Sequence, residues 1–211
     1  MKKLFFFLSL ILLAGCSDED FTGSDNIITI TRDLASFNKI VAETDLKVNV
    51  MQGPTQLVNV RVNDNLQNQL ITRVNNNTLT ISLESGSYDN ATFELDIQMP
   101  ELERFQLDDN TQGSIVFDLD QLIVEVNGSS ELDLEGSAQT LVVRNNDAGE
   151  ISGFSFIANV VEVDARNASK LEINCKDTLN GRVTQAAEVR YRGQPVVNAT
   201  SNEAGEIIDA N

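Results

Sequence analysis

The chain has 211 residues, a formal net charge of −17 at pH 7, no histidine and no tryptophan. A chain this acidic repels nucleic acid phosphates, so we expect no nucleic acid partner. The lack of histidine excludes Ser-His-Asp and Cys-His catalysis and argues strongly against a zinc site. The length suits one domain, or one domain with a subdomain.

Residues 1–15 have the layout of a cleavable export signal. Lys2 and Lys3 precede an apolar run of about ten residues, which is too short for a membrane-spanning helix of roughly 20 residues. The sequence Leu13-Ala14-Gly15-Cys16 resembles the lipobox of bacterial lipoproteins, in which the cysteine thiol accepts a diacylglyceryl group. The segment therefore predicts a mature protein that begins at a lipidated Cys16 and is held at a membrane by acyl chains.

The segment after the cysteine is polar, and we expect residues 16–26 to form a flexible tether. Ser17 follows Cys16, where an aspartate would indicate retention at the inner membrane. The run Ser17-Asp18-Glu19-Asp20 resembles the signal that sends lipoproteins to the outer face of the outer membrane in some Gram-negative bacteria. We therefore predict an outer-membrane, cell-surface lipoprotein; the alternative is the periplasmic face, with the acidic run acting only as a solvated tether.

Residues 27–101 alternate apolar and polar side chains with a period of two, which predicts a β-rich N-terminal part. The run Asn75-Asn76-Asn77 indicates a hairpin turn between strands at 71–74 and 79–83, because asparagine tolerates left-handed backbone angles. Cys175 lies in another alternating stretch, which predicts a buried strand residue.

Residues 102–211 carry a repeat of about 19 residues, in which two small or polar residues are followed by a variable and then an apolar residue. A β-rich repeat of this length predicts a solenoid with a C-terminal cap, and the alternative is an ordinary β-sandwich with chance alternation. The small residues should form corners with stacked polar side chains beside them. The apolar residues should form one inward-facing column: Val116, Leu132, Ile151, Leu171 and Val189.

Several landmarks between about Phe37 and Val197 resemble one protein family. They are a strand that ends in Gln52-Gly53, the segment Ile97-Gln98-Met99-Pro100-Glu101-Leu102, and the signature Tyr191-Arg192-Gly193-Gln194-Pro195. The family is the auto-transporter adhesin family built on the head GIN domain. The resemblance implies a right-handed parallel β-helix-like fold at the cell envelope, with Tyr191, Gly193 and Pro195 as structural residues. No functional site is established for the family, and the word adhesin in its name is a label and not a demonstrated activity.

Few motifs in the sequence carry chemistry. Asp108 and Asn110 begin a stretch that resembles a calcium loop, but Leu119 stands where an EF-hand has glutamate, so a polar turn with at most weak calcium binding is favoured. Thr178 lies in Asp177-Thr178-Leu179, which resembles an O-glycosylation motif of Gram-negative envelope proteins. We expect no cofactor.

These features together predict a non-catalytic, lipid-anchored envelope protein that acts in adhesion or in binding a glycan or an envelope protein. The alternatives are a polysaccharide lyase or hydrolase on a β-helix scaffold and a purely structural envelope protein. A deep groove that combines carboxylates with an arginine would favour the enzyme, and a flat exposed sheet face would favour binding. Open strand edges at the end of the solenoid would allow self-association.

Overall fold

The computed structural model describes residues 19–211, and this part of the chain contains strands, turns and loops without a helix. It follows that the described part has no helix of the length and apolarity needed to cross a membrane. The strands are β1 Asp20–Thr22, β2 Ile27–Thr31, β3 Lys39–Ala42, β4 Lys47–Gln52, β5 Leu57–Asn63, β6 Leu70–Asn75, β7 Thr78–Leu83, β8 Ser87–Asp89, β9 Phe93–Met99, β10 Arg104–Leu107, β11 Gln112–Val126, β12 Glu131–Asn145, β13 Glu150–Ala165, β14 Lys170–Val183, β15 Glu188–Arg192, β16 Val196–Val197, β17 Thr200–Ser201 and β18 Glu206–Asp209.

Most strands stack in parallel into a solenoid of about six turns. The first halves of β11 to β14 pair in register with β4 on one side and β15 and β18 on the other, and we call this the first sheet. The second halves pair with β10, β16 and β17, and we call this the second sheet. The predictions of an all-β fold and of a solenoid are thereby confirmed.

The N-terminal strands belong to the same stack, but not in chain order. In the second sheet β3 lies between β7 and β10, and in the first sheet β4 lies between β9 and β11. At this end of the stack the strands also pair in antiparallel fashion: β2 pairs with β5, and β6 pairs with β7. The predicted hairpin at Asn75–Asn77 is present, with Asn76 and Asn77 at φ of 49° and 62°.

Each coil turns at a corner with a residue in the left-handed region followed by small residues. The second small residue faces inward and is buried because the chain doubles back tightly there; this column is Thr111, Ser130, Gly149, Ser169 and Ala187. The left-handed positions are filled mainly by asparagine, aspartate, glycine and other polar residues, which are Asp109, Gly128, Asp147, Asn167, Gln185 and Glu203. Polar side chains bond between coils at these corners, as Asn127 does with Asp108 and Asn146.

The predicted inward column is correct in four of its five members. Leu132, Ile151, Leu171 and Val189 lie in register and are at most 2% exposed. Val116 was assigned wrongly: it is 48% exposed and faces solvent. The residue in register with Leu132 is Gly113, because the corner of this coil is Asn110-Thr111 and not Gly113-Ser114. The side chains of Phe105, Leu107 and Leu132 occupy the space around Gly113.

The segment predicted as a flexible tether is partly ordered against the domain. Asp20–Thr22 form β1, which pairs in parallel with β8 at Ser87–Asp89. Two asparagine side chains also hold this segment. Asn65 donates a hydrogen bond to the carbonyl of Thr22, and Asn63 donates one to the carbonyl of Ser24. Residues 16–18 of the predicted tether lie outside the described residues.

Candidate functional site

The outer side of the first sheet carries a cluster of carboxylates, which we call the acidic face. It is defined by Glu131, Asp133, Glu135, Glu150 and Glu172. The three carboxylates on β12 are exposed because they alternate with the buried Leu132 and Leu134 along the strand. Alternation with a period of two puts all three on one side of the sheet, at a spacing of about 7 Å from one to the next.

Two shallow depressions cross the acidic face, with volumes of about 470 and 480 Å³. Both are lined by Ser114, Asp133 and Ser152, which lie side by side on neighbouring strands with Asp133 between the two serines. Phe154 lines the second depression and packs under Arg192, whose guanidinium carbon is 4.1 Å from the centre of the ring. The face therefore offers a broad, open surface with carboxylates, hydroxyls and one aromatic ring.

In the described part of the chain the carboxylates of β12 have no compensating cation, whereas Glu150 on the neighbouring strand is paired with Lys170. Within residues 19–211 no lysine or arginine lies within ion-pair distance of Glu131, Asp133 or Glu135. By contrast Glu94, three strands away, contacts Arg61 at 2.9 Å and Lys47 at 3.3 Å. The hydrogen bond from Arg61 is the main reason why the pKa of Glu94 lies below its usual value.

The outer side of the second sheet has a ladder of neutralised charges. Glu125, which is 9% exposed, is bridged by Arg104 and Arg144 from the two neighbouring coils. Asp164 accepts two hydrogen bonds from Arg166, which lower its pKa. Arginines and carboxylates thus meet in a shallow depression of about 270 Å³ there, but they are largely paired with one another.

Another depression, of about 730 Å³, lies where the two sheets meet and is lined by four carboxylates and no arginine. Two of the four are engaged: Glu103 contacts Lys39 at 3.0 Å, and Asp118 accepts a hydrogen bond from Ser137 at 2.7 Å. Across residues 19–211 no group of three or more histidine, cysteine, aspartate or glutamate side chains is arranged to hold a metal ion.

The weak calcium candidates lie at the corner before β11. Both carboxylate oxygens of Asp108 accept hydrogen bonds, from Gln106 at 2.8 Å and from Asn127 at 2.6 Å. Asn110 directs its side-chain nitrogen to Asp45 at 3.5 Å. The two residues therefore act in the polar ladder of the corners, and the geometry gives them no shared set of oxygen ligands for a cation.

The residues of the family signature form the corner of the last full coil. Tyr191 packs against the core, and Gly193 has a φ of 96°, where an added Cβ would lie 2.0 Å from the carbonyl oxygen of Cys175. Pro195 is half-buried between β15 and β16. The structural role of these residues stays a prediction.

The modification candidates fall in two places. Thr178 is half-buried on β14, where its carbonyl accepts a hydrogen bond from the thiol of the buried Cys175. Cys16, Ser17 and Asp18 lie outside the described residues, whereas Glu19 and Asp20 are exposed. Sequence reasoning did not single out the acidic face, although the alternation in Glu131-Leu132-Asp133-Leu134-Glu135 was a signal for it.

Comparison with known proteins identifies the family. The model of the family described as "Putative auto-transporter adhesin, head GIN domain" matches residues 36–195. The chain belongs to this family. No curated protein sequence gives a significant match.

Solved structures share the fold at low sequence identity. A "putative adhesin" from Bacteroides fragilis is similar at a TM-score of 0.69 and 21% identity, covering 89% of this chain and 98% of that one. A "putative adhesin" from Parabacteroides merdae gives a TM-score of 0.58 at 16% identity, over 91% and 99%. A "putative lipid binding protein" from Parabacteroides distasonis gives 0.54 at 15%, over 92% and 100%. These similarities show the fold of this family member, and membership of an adhesin-like family suggests a cell-surface or envelope protein.

Proposed function

We propose that this family member is a lipid-anchored protein of the outer membrane that binds a partner through the acidic face and catalyses no reaction. The observation that carries the proposal is the row of three unpaired carboxylates on β12, exposed on a flat sheet with open depressions on either side of Asp133. Membership of an adhesin-type family supports a binding role.

Within residues 19–211 the three carboxylates of β12 contribute no ion pair to the fold, which supports a role outside folding. Glu131 lies directly opposite Glu150 on the neighbouring strand, where like charges repel; Glu150 is paired with Lys170 from the next strand, whereas Glu131 has no such partner in this part of the chain. Elsewhere in the stack comparable carboxylates are neutralised, as Glu94 and Glu125 are by lysine or arginine. A partner that supplies positive charge, hydroxyl groups or a bridging calcium ion would remove this repulsion, and such contacts weaken as salt rises.

The alternative of a polysaccharide lyase or hydrolase finds less support. A general acid needs a carboxyl group with a raised pKa. Glu94 and Asp164 have pKa values displaced downward by their arginine partners, which keeps them ionised. Arginine and carboxylates do share the depression on the second sheet, but Asp164 is already engaged by Arg166 and Arg182.

The binding proposal can be tested with full-length protein in detergent on a glycan array, with calcium and with chelator. The test variant replaces three carboxylates by amides of the same shape: Glu131→Gln, Asp133→Asn and Glu135→Gln. The matched control is Glu162→Gln, which removes an exposed charge from the second sheet. We expect the triple variant to lose at least tenfold in affinity, and the control to bind like wild type. Equal binding by the triple variant would reject the acidic face as the site.

The anchoring part of the proposal is tested separately. Cys16→Ala should abolish acyl labelling and membrane partitioning, and unchanged partitioning would reject the lipoprotein assignment. Replacing Asp18, Glu19 and Asp20 by alanine should leave the protein lipidated but protected from protease added to intact cells. If the wild-type protein is equally protected, the periplasmic alternative is correct.

A further inference from the structure

The N-terminal strand is fastened to the domain by several independent contacts. Beyond its pairing with β8, the Phe21 ring stacks on Tyr88 with centroids 5.1 Å apart, and Ser87 donates a backbone hydrogen bond to the carbonyl of Glu19. Gly86 makes room for this arrangement, since an added Cβ would lie 2.6 Å from the Glu19 oxygen and 2.7 Å from the Phe21 ring. We call residues 19–23 the strap.

The strap leaves very little free chain between the domain and the proposed lipid. Only residues 17 and 18 separate Cys16 from Glu19. A chain extends by at most about 3.5 Å per residue, so the proposed lipid attachment point lies within about 10 Å of the strap. A tether running free to residue 26 would instead reach roughly 35 Å.

The strap lies at the N-terminal end of the stack. Tyr88 packs edge-on against Phe93, the first residue of β9, with centroids 5.3 Å apart. Asn63, at the end of β5, donates to the carbonyl of Ser24. From β9 the first sheet continues through β4 and the long strands to β18, which is seven strand spacings or about 34 Å away.

Resting on the proposed anchoring, we infer that the strap places the N-terminal end of the solenoid against the bilayer and makes the coil of β15 to β18 the membrane-distal tip. The short tether supports this placement, because the proposed lipid attachment point lies within about 10 Å of the strap. The partner of the surface around β1 and β8 is therefore the lipid surface, and the acidic face stands to the side, open to a partner.

The test measures energy transfer to the membrane with full-length lipidated protein in vesicles of phosphatidylcholine with roughly a fifth phosphatidylglycerol. In a Cys175→Ser background, a donor dye is placed near the strap by Ser85→Cys or at the tip by Glu206→Cys, and the acceptor is a headgroup-labelled lipid. Both positions are exposed. We expect at least twofold higher transfer efficiency from position 85 than from position 206.

Releasing the strap provides the decisive comparison. Gly86→Val adds atoms where Glu19 and Phe21 lie, and Phe21→Ser removes the stacking ring without adding atoms. Either variant should make the two transfer efficiencies converge while circular dichroism stays that of wild type. Thr140→Val is the control, since Thr140 lies on β12, which pairs with neither β1 nor β8, and it should keep the difference.

The outcomes separate the strap from the anchor. Protein that does not float with the vesicles rejects the anchoring and this inference with it. Protein that floats but transfers equally from both positions overturns the strap orientation and leaves the anchoring intact. A difference that persists in both strap variants also overturns it, because the strap then does not set the orientation.

Discussion

The packing around Gly113 allows the register of the solenoid to be tested by stability measurements. Leu132 is 2% exposed, and one of its methyl groups lies 3.2 Å from the place where Gly113 would carry a Cβ. Leu132→Ala should therefore open a cavity beside a residue with no side chain to fill it, on a rigid strand ladder that cannot collapse. We expect a loss in the upper part of the usual range for Leu→Ala in a core, about 3–5 kcal/mol of unfolding free energy.

A double-mutant cycle with Gly113 gives the sharper result. Gly113→Ala alone places a Cβ 2.8 Å from Leu107 and 2.9 Å from Phe105, and overpacking of this kind costs about 1–3 kcal/mol. In the Leu132→Ala background the added methyl group has one neighbour fewer and fills part of the cavity. The double variant should therefore be more stable than the sum of the single losses predicts, by about 1 kcal/mol.

Urea unfolding followed by far-ultraviolet circular dichroism is the suitable assay, because the chain has no tryptophan. Val116→Ala is the control; Val116 is 48% exposed and should change stability by less than about 0.5 kcal/mol. A Val116→Ala variant as destabilised as Leu132→Ala would refute the register. Additive losses in the cycle would refute the shared space between Gly113 and Leu132.

Three further predictions follow from single sites. Thr44 takes a left-handed backbone at φ 77° with a buried hydroxyl that lacks a hydrogen-bond partner, so Thr44→Gly should raise the unfolding free energy by about 1 kcal/mol, seen as a higher urea midpoint; a lower midpoint would contradict the strain. The folded pKa of Glu94 is lowered chiefly by Arg61, so its contribution to stability is complete above the ordinary value of 4.5 and is lost as pH falls through the folded pKa. The stability difference between wild type and Glu94→Gln should accordingly shrink as the pH falls below 4.5, and a constant difference would reject the ion pair as its source. Burial raises the pKa of the Cys175 thiol, so Ellman's reagent should modify it only in denaturant, and rapid modification of the native protein would show that the core opens there.

Local alternation and corner chemistry in the sequence were sufficient to predict the solenoid. The small pairs at Ser129-Ser130, Ala148-Gly149, Ala168-Ser169 and Ala186-Ala187 are the observed corners, and the residues before them adopt the left-handed backbone. Such signals are local, because a left-handed turn and a buried small residue depend on side chains a few positions apart. The same reasoning failed at Gly113-Ser114, where small residues serve a packing need set by Phe105 and Leu107.

The candidate site was less accessible to sequence reasoning. Each exposed carboxylate of β12 reads as an ordinary solvated residue, and its significance depends on which cations the neighbouring coils bring near it. The strand pairing decides this, because it places Arg61 of β5 opposite Glu94, whereas Asp133 lies between Ser114 and Ser152. The calcium candidates show the converse. Asp108 reads as a metal ligand in the sequence, but the stacking of the coils places Asn127 beside it, and Asn127 donates a hydrogen bond to its carboxylate.

Short-range patterns and motifs in the sequence were enough to establish that the chain is all-β, that its second half winds in coils of about 19 residues and which family it resembles. The insertion of β3 and β4 between later strands, the exposure of Val116 and the attachment of the N-terminal strand to β8 became visible only in the folded structure. These features depend on contacts between residues far apart in the chain, such as Phe21 with Tyr88, and the pairing partner of a strand is not encoded in the strand's own alternation.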